Sequence, residues 1–71
     1  MVKVTAVSKK IGRNIRKIRE KKNIAQEQLA LDSKLNRAYI GYIERGERNP
    51  STQTLSKIAK ALKVSLKDLV G

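Results

Sequence analysis

Residues 26–45, QEQLALDSKLNRAYIGYIER, decide the fold. Gln26 and Glu27 open a short helical pattern in which Leu29 and Ala30 point inward, and Asp32-Ser33-Lys34-Leu35 reads as a turn. Asn36 starts a second pattern whose Ile40 and Ile43 face the core. Helices joined by so short a turn hold each other at a steep angle, and one of them can project into a DNA major groove.

The flanking sequence completes a helical frame. Ser8 offers an N-cap, and Ile11, Ile15 and Ile18 recur at helical spacing, which predicts a first helix over 9–21. Lys9, Lys10, Arg13, Arg16, Lys17, Arg19, Lys21 and Lys22 cover its other faces, and the basic residues at its end suit the negative pole of the helix dipole. Ile24 anchors the loop that follows. Further helices are predicted over 26–33 and 37–45, with Gly46 supplying the left-handed residue that stops the latter. Arg48-Asn49-Pro50 is a turn, because proline disfavours a helical residue before it. Ser51 caps a fourth helix with Leu55, Ile58, Ala59 and Leu62 inward, and Ser65 with Asp68 caps a short fifth. The fold class is all-α, five helices around one core. The domain runs over 9–71 behind a basic and apolar N-terminal arm over 1–8. Val2, Val4 and Ala6 alternate in that arm as a strand would, so pairing in a dimer stands beside the mobile-arm reading.

Composition narrows the partners. Seventeen Lys and Arg against six Asp and Glu give a net charge of +11 over 71 residues, which attracts polyanions by counterion release and steering. Nucleic acid is favoured over an anionic membrane, since the isoleucines of the first helix are needed by the core. Nothing approaches bilayer length, and no apolar signal stretch opens the chain. A domain this small buries only about 60% of its unfolded surface. With no cysteine to staple it, stability rests on the aliphatic core, helped by dimerisation. The absence of cysteine fits a reducing cytoplasm. Without histidine or cysteine, and with no paired carboxylates, enzyme activity is not expected, nor is a metal, a cofactor or a small-molecule ligand.

At about 100° per residue, Ala38 lies roughly 160° from Ile40, Arg45 roughly 140° and Gly41 roughly 100°. The outward face of the third helix is therefore Ala38, Gly41, Tyr42 and Arg45, with Arg37 at the N-terminal corner, where recognition helices approach base edges. Arg37 is the main candidate base reader, since arginine can donate two hydrogen bonds to guanine; the alternative is a solvated arginine, although a cation there opposes the helix dipole. Tyr42 either meets a thymine methyl, a base or a phosphate, or packs on neighbouring side chains. Tyr39 touches a phosphate or covers the core edge. Ala38 and Gly41 are small enough for close approach to bases. A helical glycine costs roughly 1 kcal/mol against alanine, and a crowded helix contact would equally explain Gly41. Gln26 opens its helix where backbone N–H groups and its amide can meet a phosphate.

The chain resembles the Cro/repressor-type, or XRE, family of helix-turn-helix regulators, whose fold is lambda-repressor-like. The resemblance rests on Ile15-Arg16-x-Ile18-Arg19-Glu20, on Gln26-x-x-Leu29-Ala30 and on Tyr39-Ile40-x-x-Ile43-Glu44-Arg45-Gly46-x-Arg48-Asn49-Pro50-Ser51. Thr54-Leu55-x-x-Ile58-Ala59-x-Ala61-Leu62 and Leu66-x-x-Leu69 extend it over about residues 9–70. It implies a sequence-specific regulator that binds double-stranded DNA as a homodimer on a two-fold-symmetric operator, in the cytoplasm. It implies phosphate contacts at Gln26, Arg45, Arg48 and Asn49, and an Arg19–Glu44 salt bridge fixing the third helix to the first. Val64, Leu66, Leu69 and Val70 are candidate dimer contacts, with completion of the protomer core as their other reading. The segment from Arg37 to Arg45 looks particularly like the controller proteins of restriction–modification systems. With no sensor domain after residue 71, control is expected to act through protein concentration. An antitoxin, or an adaptor docking on transcription machinery, is the alternative on the same fold. Two positions depart from the family pattern. Ala25 stands where Ser or Thr usually caps the second helix. Lys34 stands where a turn glycine is common, and a positive φ there would cost about 1–2 kcal/mol.

Overall fold

The computed structural model describes residues 5–71. Five helices follow in chain order: α1 Ala6–Lys21, α2 Gln26–Ser33, α3 Arg37–Glu44, α4 Thr52–Leu62 and α5 Leu66–Val70. Ile11 and Ile15 of α1, Leu29 and Ala30 of α2, Ile40 and Ile43 of α3, Leu55, Ile58, Ala59 and Leu62 of α4, and Leu69 of α5 form one buried cluster. α3 packs against α1 and α2, while α4 closes the far side against α2 and α5. That leaves the opposite face of α3 to solvent.

The first helix starts three residues earlier than its periodicity predicts. Thr5, not Ser8, is its N-cap, and Thr5 Oγ1 accepts from the Ser8 N–H at 3.2 Å. Ser8 is instead fully buried in the first turn, which removes it from the solvent-facing role of a cap. Residues 6–8 are therefore helical rather than part of an arm. The arm and strand readings for Val2 and Val4 lie outside the described residues. α3 stops at Glu44 with Arg45 as its C-cap, one residue short of the predicted end.

Four of the helices end in the same way. Asn23, Lys34, Gly46 and Lys63 take φ of 58°, 58°, 74° and 59°. In each case the next residue's N–H reaches five residues back: Ile24 to Arg19, Leu35 to Ala30, Glu47 to Tyr42 and Val64 to Ala59, at 2.8 to 3.0 Å. This is the Schellman termination, which normally favours glycine. Lys34 and Lys63 adopt it at a cost of about 1–2 kcal/mol each. Ile24, Leu35 and Val64, the residues just beyond, repay part of that by packing against the core. The fourth, Glu47, is exposed.

Two polar or small residues of α1 fix the assembly. A Cβ on Gly12 would stand 2.3 Å from the Ile43 carbonyl oxygen and 2.7 Å from that of Glu44, so only glycine lets α1 and α3 meet here. Asn14 Nδ2 donates to the Leu69 carbonyl at 2.9 Å and ties α5 to α1. Leu69 is fully buried in the protomer, so it completes the core and is not a dimer contact. Val64 and Leu66 are half-buried against the same core, and Val70 is 44% exposed.

Candidate nucleic-acid interface

α3 is held in place by a buried polar hub at its C-terminal end. Arg19 Nε donates to Glu44 Oε2 at 2.6 Å and Arg19 Nη2 to Glu44 Oε1 at 3.0 Å, a two-pronged pair with 12% and 3% side-chain exposure. Arg19 Nη1 donates to the Ile24 carbonyl at 2.8 Å, and Gln26 Nε2 donates to Glu44 Oε1 at 2.9 Å. One carboxylate thus binds α1 and the start of α2, and Arg19 carries the link on to the loop between them. The hydrogen bond to Glu44 raises the Arg19 pKa above its ordinary value, against a smaller opposing effect of burial. Among the described residues no buried side-chain polar atom lacks a partner.

The Gln26 amide thus gives one of its two N–H donors to the protein's own scaffold, while Gln26 also lines the open surface described below. Backbone donors lie beside it at the start of α2. Ala25 provides no side-chain cap, so the first-turn N–H groups of α2 keep no side-chain acceptor. At α3 the opposite holds: Asn36 Oδ1 accepts from the Ala38 N–H at 2.7 Å, which satisfies the helix start.

Gln26, Arg37, Ala38, Gly41, Tyr42 and Arg45 line one open concavity of about 420 Å³. Arg37 and Ala38 are exposed at its N-terminal end, and Arg37 enters no ion pair among the described residues. Tyr39 is half-buried against the core, to one side of this surface. Arg48 and Asn49 are exposed beyond it on the α3–α4 loop. Gly41 is not the open patch that its small size suggests. It is buried, and the Arg45 side chain lies over it, with Nη1 3.1 Å from where a Cβ would stand. Tyr42, 38% exposed, is flanked by two cations: the Arg45 and Arg48 guanidinium carbons lie 5.2 and 5.1 Å from its ring centroid. Both arrangements are of the cation–π kind.

Glu47 completes this cluster and escaped the sequence reading. Its Oε2 accepts from Arg45 Nε at 3.2 Å. The available signal is its position two residues after Arg45, an acid inside the basic stretch Arg45-Gly46-Glu47-Arg48. Gly12 and Asn14 were missed as well, because both act through residues distant in sequence. Among the described residues no helix is long and apolar enough to cross a membrane.

Comparison with known proteins fits this geometry. The helix-turn-helix family pattern matches residues 15–69. Control protein C.BamHI of Bacillus amyloliquefaciens is 50% identical over 60 residues, which span 83% of this chain and 74% of that protein. The crystal structure of the restriction-modification controller protein C.AhdI from Aeromonas hydrophila aligns with a TM-score of 0.89 at 40% identity, over 92% of this chain and 98% of that one. The controller protein C.Esp1396I, solved as a tetramer in complex with its natural 35 base-pair operator, aligns with a TM-score of 0.83 at 36% identity, over 94% and 99% of the two chains. The chain belongs to the Cro/repressor-type helix-turn-helix family, with controller proteins among its relatives.

Proposed function

We propose that the protein is a sequence-specific, DNA-binding transcriptional regulator of the restriction–modification controller type, acting in the cytoplasm as a homodimer on a two-fold-symmetric operator. The observation that carries this reading is the outward face of α3, where exposed Arg37 and Arg45 border a concavity left free by the packing of the helix on α1 and α2. Arg37 at the N-terminal corner reads a base, with Ala38 permitting close approach and Tyr42 beside them. The uncapped N–H groups of α2 take a phosphate oxygen. Arg48 and Asn49 on the following loop, with Tyr39 on the flank, grip the backbone. One recognition helix reads only a few base pairs, so a second protomer is needed for useful specificity. Val70, together with the half-buried Val64 and Leu66, supplies apolar surface for that contact.

Selection from a random-sequence duplex pool, followed by salt titration on the selected site, tests the reading. The expected result is enrichment of a two-fold-symmetric sequence with affinity that falls steeply as salt rises. Binding no tighter to any sequence than to bulk DNA would favour a protein-interaction role, as an antitoxin or adaptor.

A further inference from the structure

The four Schellman terminations offer an internal control. Three place an apolar residue, Ile24, Leu35 or Val64, just past the left-handed position and bury it partly against the core. After α3 the same position holds Glu47, exposed and turned back onto the helix, where its carboxylate takes the Arg45 Nε–H. An acid at this spot contributes nothing to the core. In a chain of net charge +11 it also sits beside Arg45 and Arg48, on the surface assigned above to DNA.

Arg45 is restrained at three points. Glu47 holds Nε, the Tyr42 ring lies 5.2 Å beneath the guanidinium carbon, and Gly41 lets Nη1 settle against the helix backbone where any side chain would crowd it. An exposed ion pair is weak. Added to the stacking contact, it still shifts a rotamer balance a few-fold. With Nε bonded to Glu47 and Nη1 against Gly41, the guanidinium lines the concavity shared with Arg37. A guanidinium held in place can bond a base edge or a phosphate two-pronged; its place in the concavity lined by Arg37, Ala38 and Gly41 is what favours the base.

We infer that Arg45 is a second base reader, not a backbone contact, and that Glu47 is the positioning residue that keeps it over Gly41. The inference rests on the DNA-reading role of α3. Glu47 also neutralises Arg45 toward phosphate, so it restrains indiscriminate binding while it sharpens reading.

The test uses the duplex enriched by the wild type and its single-base-pair variants across one half-site. Wild type, Arg45→Ala, Glu47→Gln and Glu47→Asp are titrated on each. Arg45→Ala is expected to abolish preference at one base pair. Glu47→Gln should reduce preference at that same base pair by about threefold. Its salt dependence on bulk DNA should steepen by about 0.9 per protomer, as a released Arg45 finds a phosphate. Glu47→Asp should restore much of the preference. If Arg45→Ala or Glu47→Gln weakens all duplexes equally, Arg45 is a backbone contact and the inference fails. An unchanged profile in Glu47→Gln removes Glu47 from the account. If the wild type enriches no sequence at all, the DNA-reading role falls first and takes this assignment with it.

Discussion

Arg19–Glu44 and Arg45–Glu47 bracket the C-terminal end of α3 with the same two side-chain types in opposite settings. The first pair is buried, two-pronged and shared with Gln26 and the Ile24 carbonyl. The second is about half exposed on both sides and joined by a single hydrogen bond. Burial makes a broken pair expensive, because the surviving charge has no water to turn to. Exposure makes a pair weak and adjustable. The contrast separates a scaffold from a reading surface across the C-terminal boundary of one helix.

Glu44→Ala should break the comparison most violently. It leaves the Arg19 guanidinium buried without its counter-ion, a loss of about 3–5 kcal/mol. For a domain of this size the melting temperature should fall by more than about 10 °C. A melting temperature within a few degrees of wild type would show that the hub does not hold α3. Ala25→Ser should move stability the other way by about 1 kcal/mol, by giving the first-turn N–H groups of α2 an acceptor. Thermal melts of the two proteins check this, and no gain would mean that α2 already has its caps. Glu47→Gln should leave stability within about 0.5 kcal/mol of wild type while altering base preference. A large destabilisation would place Glu47 in the scaffold instead.

The smallest expected effect is that of pH. The Arg19 pKa is raised in the folded state, so its contribution is complete below the ordinary arginine range and is lost only as pH rises through the still higher folded value. The part of stability due to Arg19 should therefore be flat across neutral pH and decline only in strongly alkaline solution. Denaturant titrations of wild type and Arg19→Met across neutral pH should differ by a constant; a difference that grows or shrinks there would contradict the assignment.

The frame was largely legible in the sequence because aliphatic residues at helical spacing report directly on one buried face. Ile11, Ile15, Ile40, Ile43, Leu55, Ile58 and Leu62 all enter the core. Cap choice at α1 was less legible. Thr5 and Ser8 are both competent caps, and burial of Ser8 decides between them. The left-handed turns at Asn23 and Lys63 carry no glycine, so composition gave no warning; their stabilising contacts come from Ile24 and Val64 meeting a core built by other helices. At the interface, helical angles brought Arg37, Ala38, Gly41, Tyr42 and Arg45 to one surface, and one concavity holds all five. Angles alone could not reveal that Arg45 folds back over Gly41, or that the Gln26 amide donates to Glu44. Those depend on side-chain partners up to eighteen residues apart.

The central claim is that the free face of α3 reads DNA while its buried face only holds position. Arg37→Ala tests it most directly, with the ratio of selected-site to bulk-DNA affinity measured beside the melting temperature. The ratio should fall by at least about tenfold while melting stays within a few degrees of wild type. A retained ratio, or an equal loss on both DNAs, would contradict the account.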